Sequence, residues 1–368
     1  MKQISIRPVW TLQDDRRPPL PARLIELLVQ IQATGSLRAA CARLGLSYRH
    51  GWDLIRQGEA HFGSPLLQMT RGRGSTLTTL GEKLVWADHR IAARLGPVLD
   101  SLASELAGEI SRVLGDDLPV RPAGLCLHAS HGFAIELLVD RLGRSGLEIE
   151  RRYGSSLSAA AALHEHRCDA AGLHIPLGPT QGAALARHAR FLTAPDLHLI
   201  DIATRRQGLM IAPGNPKKIY ELADLLRPEV RFVNRQSDSG TRFLLEDLLQ
   251  RAGIDPGRIP GFEQGEATHA AVAACVASGL ADVGLGLETP ARQFRLDFLP
   301  LARERYFLLC HAATLDTPAM QAVLTELRSA EFQRDVNALA GYAADGTGQA
   351  LPLHDAFALT PTSPQRGA

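Results

Sequence analysis

Three short turns in the second half of this 368-residue chain have the residue types of an anion site. In Ser237-Asp238-Ser239-Gly240-Thr241-Arg242, an apolar run, Val230–Asn234, feeds a Ser/Gly/Thr turn that opens a helical stretch. A helix start presents unpaired N–H groups and the positive end of the helix dipole, so it attracts negative charge. Ser237, Ser239 and Thr241 can add hydroxyl groups, Gly240 lets the backbone approach closely, and Arg242 supplies charge unless it points into solvent. Ser130-His131 and Gly154-Ser155 form similar strand-to-helix turns, so a small ligand could be clamped from both sides. Thr268, His269, Arg305 and Tyr306 are further candidates, with His269 also suited to a plain helix start and Arg305 to a hinge. Each turn taken singly also fits an ordinary N-cap, where Ser and Thr are common.

A different chemistry, contact with phosphate, is offered nearer the start. The stretch from Leu20 to Leu95 carries 10 Lys/Arg against 5 Asp/Glu, while the rest of the chain sums to −4. The overall formal charge of +1 hides this asymmetry. A basic excess at one end suits a module that touches a nucleic-acid backbone, although solvated helices carry such excesses too.

The elements that would position these groups can be read from periodicity. Leu24, Leu27, Leu28 and Ile31 share one face of a helix from Pro21 to Ala33, ended by Gly35. Ser36 caps a short second helix, Leu37–Leu44, and Gly45 supplies a turn. Ser47 caps a third helix to about His61, in which Tyr48, Trp52, Ile55 and Phe62 face the core and Arg49, His50 and Arg56 stay outside. Two helices joined by a tight turn, with polar side chains on the outer face of the second, are the parts of a helix-turn-helix. Leu66–Met69 and Ser75–Thr78 read as strands around a basic tip holding Arg71 and Arg73. From Leu80 to about Leu114 runs a longer amphipathic segment that Gly96-Pro97 should kink or interrupt. It has more apolar surface than a small domain can bury, which points to pairing with a second copy or to docking on the C-terminal region.

After a Pro-containing linker the pattern becomes short apolar runs alternating with helical stretches, including a helix over Ile219–Leu226, which specifies an α/β architecture with mostly parallel sheets. Five cysteines lie singly in apolar surroundings with no metal-ligand spacing, so buried reduced thiols are expected and no metal site. The first residues lack the pattern of a secretory signal and no run is long enough to span a membrane, which leads us to expect a cytoplasmic protein with no membrane partner. No nucleophile elbow or phosphate loop is present, and adjacent Ser130 and His131 diverge at a helix start, so no enzyme is expected.

Leu24 to Gly81 resembles the DNA-binding domain of the ModE family of molybdate-responsive repressors, itself similar to LysR-type winged helices. The resemblance is carried by Gly35-Ser36-Leu37-Arg38-Ala39-Ala40, by Leu46 to Leu54, by Phe62-Gly63 and by Leu77-Thr78-Thr79-Leu80-Gly81. Ala123 to about Gln349 resembles a periplasmic-binding-protein-like domain, through Ala129-Ser130-His131, Tyr153-Gly154-Ser155, Gln207 to Pro216 and Phe232 to Arg242. The resemblance implies an α+β multidomain chain: a winged helix-turn-helix (1–80), a long dimerisation helix (81–114), a linker (115–122), a two-lobed α/β type II ligand-sensing domain (123–355) and a tail (356–368). Lobe I would take about 123–200 and 305–355, lobe II about 206–298, with crossings near His198–Gln207 and Asp297–Arg305. It implies a ligand-responsive transcriptional regulator, a homodimer or tetramer on double-stranded operator DNA. Ser36, Ser47, Arg49, His50, Arg56, Arg71 and Arg73 would contact DNA. The effector would be a small anion, molybdate or tungstate first and a small carboxylate or molybdoenzyme-related metabolite next; no other cofactor is required. Two alternatives remain open: a cytosolic solute receptor that uses its N-terminal domain only to dimerise, and a DNA-binding regulator whose cleft is degenerate.

Overall fold

The computed structural model describes residue 4 and residues 6–12, 19–70, 74–113, 124–130 and 132–357. The chain divides between Gly96 and Pro97 into a small unit that begins at Arg7 and a larger one that runs on from Pro97.

The small unit holds α1 (Ala22–Thr34), α2 (Leu37–Arg43), α3 (Tyr48–Phe62), the antiparallel pair β1 (Leu67–Thr70) and β2 (Gly74–Leu77), and the start of α4 (Thr79–Val113). Its core gathers Leu24, Leu27, Leu28 and Ile31 of α1, Leu37 and Cys41 of α2, Leu54 and Ile55 of α3, and Leu84 and Val85 of α4. Two expectations need correction here. Tyr48 does not face the core: it is exposed, with Arg38 over its ring at 5.2 Å. The buried face of α3 is Gly51, Leu54, Ile55 and Gly58. A Cβ on Gly51 would lie 2.3 Å from the Cys41 sulfur, and one on Gly58 2.6 Å and 2.7 Å from methyls of Leu24 and Leu66. The helix therefore packs on its glycines, which a search for apolar spacing passes over. The second correction is that Gly96-Pro97 does not interrupt α4, which continues through it as helix.

The larger unit continues with β3 (Leu125–Ala129), α5 (Phe133–Arg144), β4 (Ile149–Tyr153), α6 (Ser156–His164), β5 (Ala170–Pro176) and α7 (Gln181–His188). A 15-residue strand, β6 (Leu197–Ile211), then leads to β7 (Phe232–Arg235), α8 (Gly240–Arg251), β8 (Gly265–Glu266), α9 (His269–Ala277), β9 (Val283–Leu287) and α10 (Glu288–Gln293). A second long strand, β10 (Asp297–His311), returns to α11 (Ala312–Leu315), α12 (Pro318–Arg328), α13 (Ala330–Ala338), β11 (Tyr342–Ala343), β12 (Ala350–Pro352) and α14 (Leu353–Phe357).

Along the sheet the strand order is β4-β3-β5-β10-β6-β9-β7-β8. Pairing is parallel inside each flank, β4-β3-β5 and β9-β7-β8, and antiparallel wherever β6 or β10 takes part. The two long strands thus cross between two α/β lobes, each with its own helices and cores. The Ile219–Leu226 segment is not an α-helix but a 3-10 turn, Leu222–Leu226. The Asn215 side chain bonds both backbone groups of Ile219, and Asp224 takes the N–H groups of Tyr220 and Glu221, so side chains occupy what a helix would need.

Gly58→Ala tests the packing of the small unit. Alanine gains about 1 kcal/mol of helix propensity, but overpacking in a filled core costs ~1–3 kcal/mol. A net loss of stability is expected, read as a lower thermal midpoint of the small unit's unfolding transition.

Candidate functional site

The expected anion turns can now be placed. Ser239 and Thr268 cap α8 and α9, their oxygens accepting the N–H of Arg242 at 3.1 Å and of Ala271 at 3.0 Å; Ser155 caps α6 from the other lobe, accepting from Ser158 at 3.2 Å. A hydroxyl that accepts from its own helix keeps its O–H to give. Thr241 is buried and Ser237 exposed. His131 lies outside the described residues.

Two of the expected arginines are occupied elsewhere. Arg242 is 6% exposed, bonds Glu246, the Phe262 carbonyl and Glu263, and stacks on Phe262 at 4.1 Å. It braces lobe II and sends no charge into the cleft. Arg305 grips Asp201 with two bonds of 2.6 Å and 2.7 Å and bonds the Ala356 carbonyl, tying the crossing strands to α14. A register shift beside Tyr306 places Asp201 opposite Phe307, on Arg305's face of the sheet. Tyr306, on the opposite face, sends its hydroxyl to the Ser130 carbonyl at 3.0 Å.

The residues at the centre of the cleft were not among the site candidates, although Gln207 and Arg235 lie inside the motifs quoted above. His174, at the end of β5, lies with Nδ1 2.9 Å from the Ser156 hydroxyl and 3.2 Å from that of Ser130. Its Nε2 faces lobe II, where a Cβ on Gly240 would come within 2.5 Å of it. On the crossing strands Arg205 stands opposite Glu304 and bonds it, with its guanidinium 4.6 Å from the centre of the Tyr306 ring. Gln207 donates to the second Glu304 oxygen at 2.7 Å. Arg235, at the end of β7, bonds the carbonyls of Glu266 and Ala267, just before α9.

Electrostatics follow from burial. Burial, helped by Arg205, His188 and Arg235, pushes His174 down to about 4 against the pull of Glu304, so the ring is neutral near pH 7. Burial and the like charge of Arg205 bring Arg235 down to about 10. Burial alone would raise Glu304, yet Arg205 and its other partners hold it below the ordinary carboxylate range. The buried cluster thus holds Arg205 and Arg235 with Glu304, and Glu266 is buried beside Arg235 on β8.

The lobes meet across the cleft. Thr180 donates to Asp247 at 2.8 Å, Arg251 to the Pro179 carbonyl at 3.0 Å, and Arg187 stacks on Phe243 at 5.1 Å. The space left beside His174 and Gly240 is about 20 Å³. That admits about one water and is too small for four oxygens around a central atom, so a ligand enters only if the lobes part.

In the small unit Ser36 and Ser47 are N-caps, accepting from Ala39 at 3.4 Å and His50 at 3.1 Å. Arg49, His50 and Arg56 are exposed along α3. Ser75 on β2 accepts the Leu37 N–H and bonds the Gly35 carbonyl, fixing the hairpin against the start of α2. Arg71 and Arg73 lie outside the described residues.

With that geometry in hand, the comparisons speak to both units. Residues 139–328, more than half of the chain, match the PBP superfamily domain, and residues 22–82 match the bacterial regulatory helix-turn-helix protein of the lysR family. The chain belongs to the PBP superfamily and carries a LysR-type helix-turn-helix. The match names the LysR family, not ModE. Among relatives, the uncharacterized protein YvgK of Bacillus subtilis is 31% identical over 201 residues, 55% of this chain and 65% of that protein, so the chain spans less than two thirds of it. The molybdenum-pterin-binding protein MopB of Rhodobacter capsulatus is 33% identical over 97 residues, 25% of this chain and 36% of that protein. The LysR family transcriptional regulator CbnR aligns at a TM-score of 0.38 and 18% identity, covering 83% of this chain and 98% of CbnR. Among the described residues no helix is long and apolar enough to cross a membrane.

His174 makes a pH prediction. With a folded pKa of about 4 against 6.5, the unfolded chain takes up a proton that the folded one refuses between those values. Stability should therefore fall as pH drops from about 6.5 to 4, by ~3 kcal/mol from this group. In His174→Gln that part of the loss should vanish, so thermal midpoints of the two proteins should converge or cross toward pH 4; parallel curves would contradict the assignment.

Proposed function

We propose that this chain is a ligand-responsive DNA-binding regulator that senses a small anion between the two lobes. One observation carries the reading: a LysR-type helix-turn-helix is joined in a single chain to lobes that close on Arg205, Arg235, His174 and the starts of α6 and α8. Helix α3 would enter the major groove, with Arg49, His50 and Arg56 reaching bases or phosphates and Arg71 and Arg73 touching the backbone. The apolar stripe Leu95, Val98, Leu102, Leu106 and Ile110, exposed on α4, suits pairing with a second copy. A dimer would read half-sites one or two helical turns apart, and a tetramer two such pairs. The likeness to a molybdenum-pterin-binding protein makes molybdate and tungstate the first probes, with small carboxylates beside them.

Binding of promoter fragments tests the DNA half. Arg71→Ala should weaken binding to all sequences and reduce the salt slope by about one. Arg49→Ala should cost about 1–3 kcal/mol on the preferred site and relax its specificity. Unchanged affinity and slope in both would sink the groove assignment. Calorimetry with the anion panel tests the sensing half, and failure of every anion to bind would leave a DNA-binding protein with a structural cleft.

A further inference from the structure

Near the midpoint of the crossing strands and on β5, the buried atoms Arg205 Nη1, Gln207 Oε1 and His174 Nε2 have no hydrogen-bond partner among the described residues. Arg205 is 1% exposed, Gln207 0% and His174 8%. Such groups are ordinarily satisfied, and each unsatisfied one carries a desolvation cost, so the trio describes the ligand's complement.

The identity of each atom is fixed by its neighbours. Glu304 is ionised and has only lone pairs to offer, so the amide of Gln207 must turn its NH2 toward it and its oxygen away. The hydroxyls of Ser156 and Ser130 both converge on His174 Nδ1. With the nearer hydroxyl, Ser156, donating to the single Nδ1 lone pair, the ring proton sits on Nε2, which becomes a donor directed at Gly240. The three orphans are thus two donors, one charged and one neutral, and one acceptor. A fully deprotonated tetraoxyanion can satisfy the donors and has nothing to give the acceptor.

We propose that the cleft selects a small anion bearing its own O–H, a hydroxylated carboxylate, and that Gln207 is the residue that reads the hydroxyl. The proposal rests on the reading of the cleft as the sensor site. Gln207 is the specificity determinant, Arg205 and His174 Nε2 hold the carboxylate, and the bond to Glu304 positions the amide.

The test uses the full chain and matched pairs of ligands that differ by one hydroxyl: glycolate with acetate, lactate with propionate, and salicylate with benzoate, with molybdate as the tetraoxyanion. Calorimetry should show at least one hydroxylated member binding about tenfold or more tightly than its partner and more tightly than molybdate. In Gln207→Met the two members of that pair should bind alike, whereas a merely structural role would lower the thermal midpoint and leave their ratio intact. The wild-type comparison decides even where the variant fails to fold. Equal affinities within every pair, or molybdate binding more tightly than all the carboxylates, would overturn the inference and leave the anion-sensing reading standing. Binding of none of the seven would overturn both.

Discussion

The larger unit is organised around one ion pair, Arg205 with Glu304. The two residues face each other on the strands that cross between the lobes, and each is 1% exposed. Burying both charges is expensive and is offset only when the geometry is good and the remaining polar atoms are engaged. Much of the neighbourhood is built to that end: Gln207 on the second carboxylate oxygen and the Tyr306 ring against the guanidinium. Loss of either charge would strand the other in a dry interior. The pair therefore bolts the crossing strands at their midpoint while its spare donor, Arg205 Nη1, faces the start of α5, where a Cβ on Gly132 would lie 3.1 Å from it.

Much of the fold was legible because its signals are local. Ser36, Ser47, Ser155, Ser239 and Thr268 mark helix starts by chemistry that needs no tertiary context, and all five are caps in the structure. The crossing strands were expected as short separate pieces because charged residues break their apolar runs; pairing with each other and with β5 and β9 makes them continuous. The same kind of start signal stood unread at Thr317-Pro318 and Ser329, which open α12 and α13. Glycine was the blind spot in α3, since a residue without a side chain adds nothing to an apolar pattern yet sets which face can approach a neighbour.

The centre of the site was less legible for a different reason. Arg205 and Glu304 are separated by 99 positions in sequence, and neither was singled out as a candidate. Strand parity was the available signal: with Tyr306 a candidate, Glu304 shares its face and Arg305 does not. The arginines that sequence chose, Arg242 and Arg305, were near recognisable turns, and proximity to a turn says nothing about which way a long side chain goes. Both are consumed by carboxylates on their own side of the fold. His174 was hidden because a histidine inside an apolar strand reads as core; only the two serines at its Nδ1 give it a direction.

The irregularities of the crossing strands complete the mechanism. Register shifts occur between Pro300 and Ala302 and between Tyr306 and Phe307, one on either side of Glu304. Bulges concentrate twist and bending, so the compliant points bracket a rigid electrostatic bolt. A ligand can shift an opening equilibrium only by its difference in affinity for the two states. In the closed state Arg205, His174 and Gln207 are dry and incompletely paired, and each such group costs about 1–3 kcal/mol. In the open state water meets them. If the cleft takes a ligand as proposed, closure without it is penalised by the same atoms that reward closure around it, and three of them together approach the ~5.5 kcal/mol that reverses a two-state population. On that proposal, the polar atoms left unsatisfied in the cleft are the coupling itself.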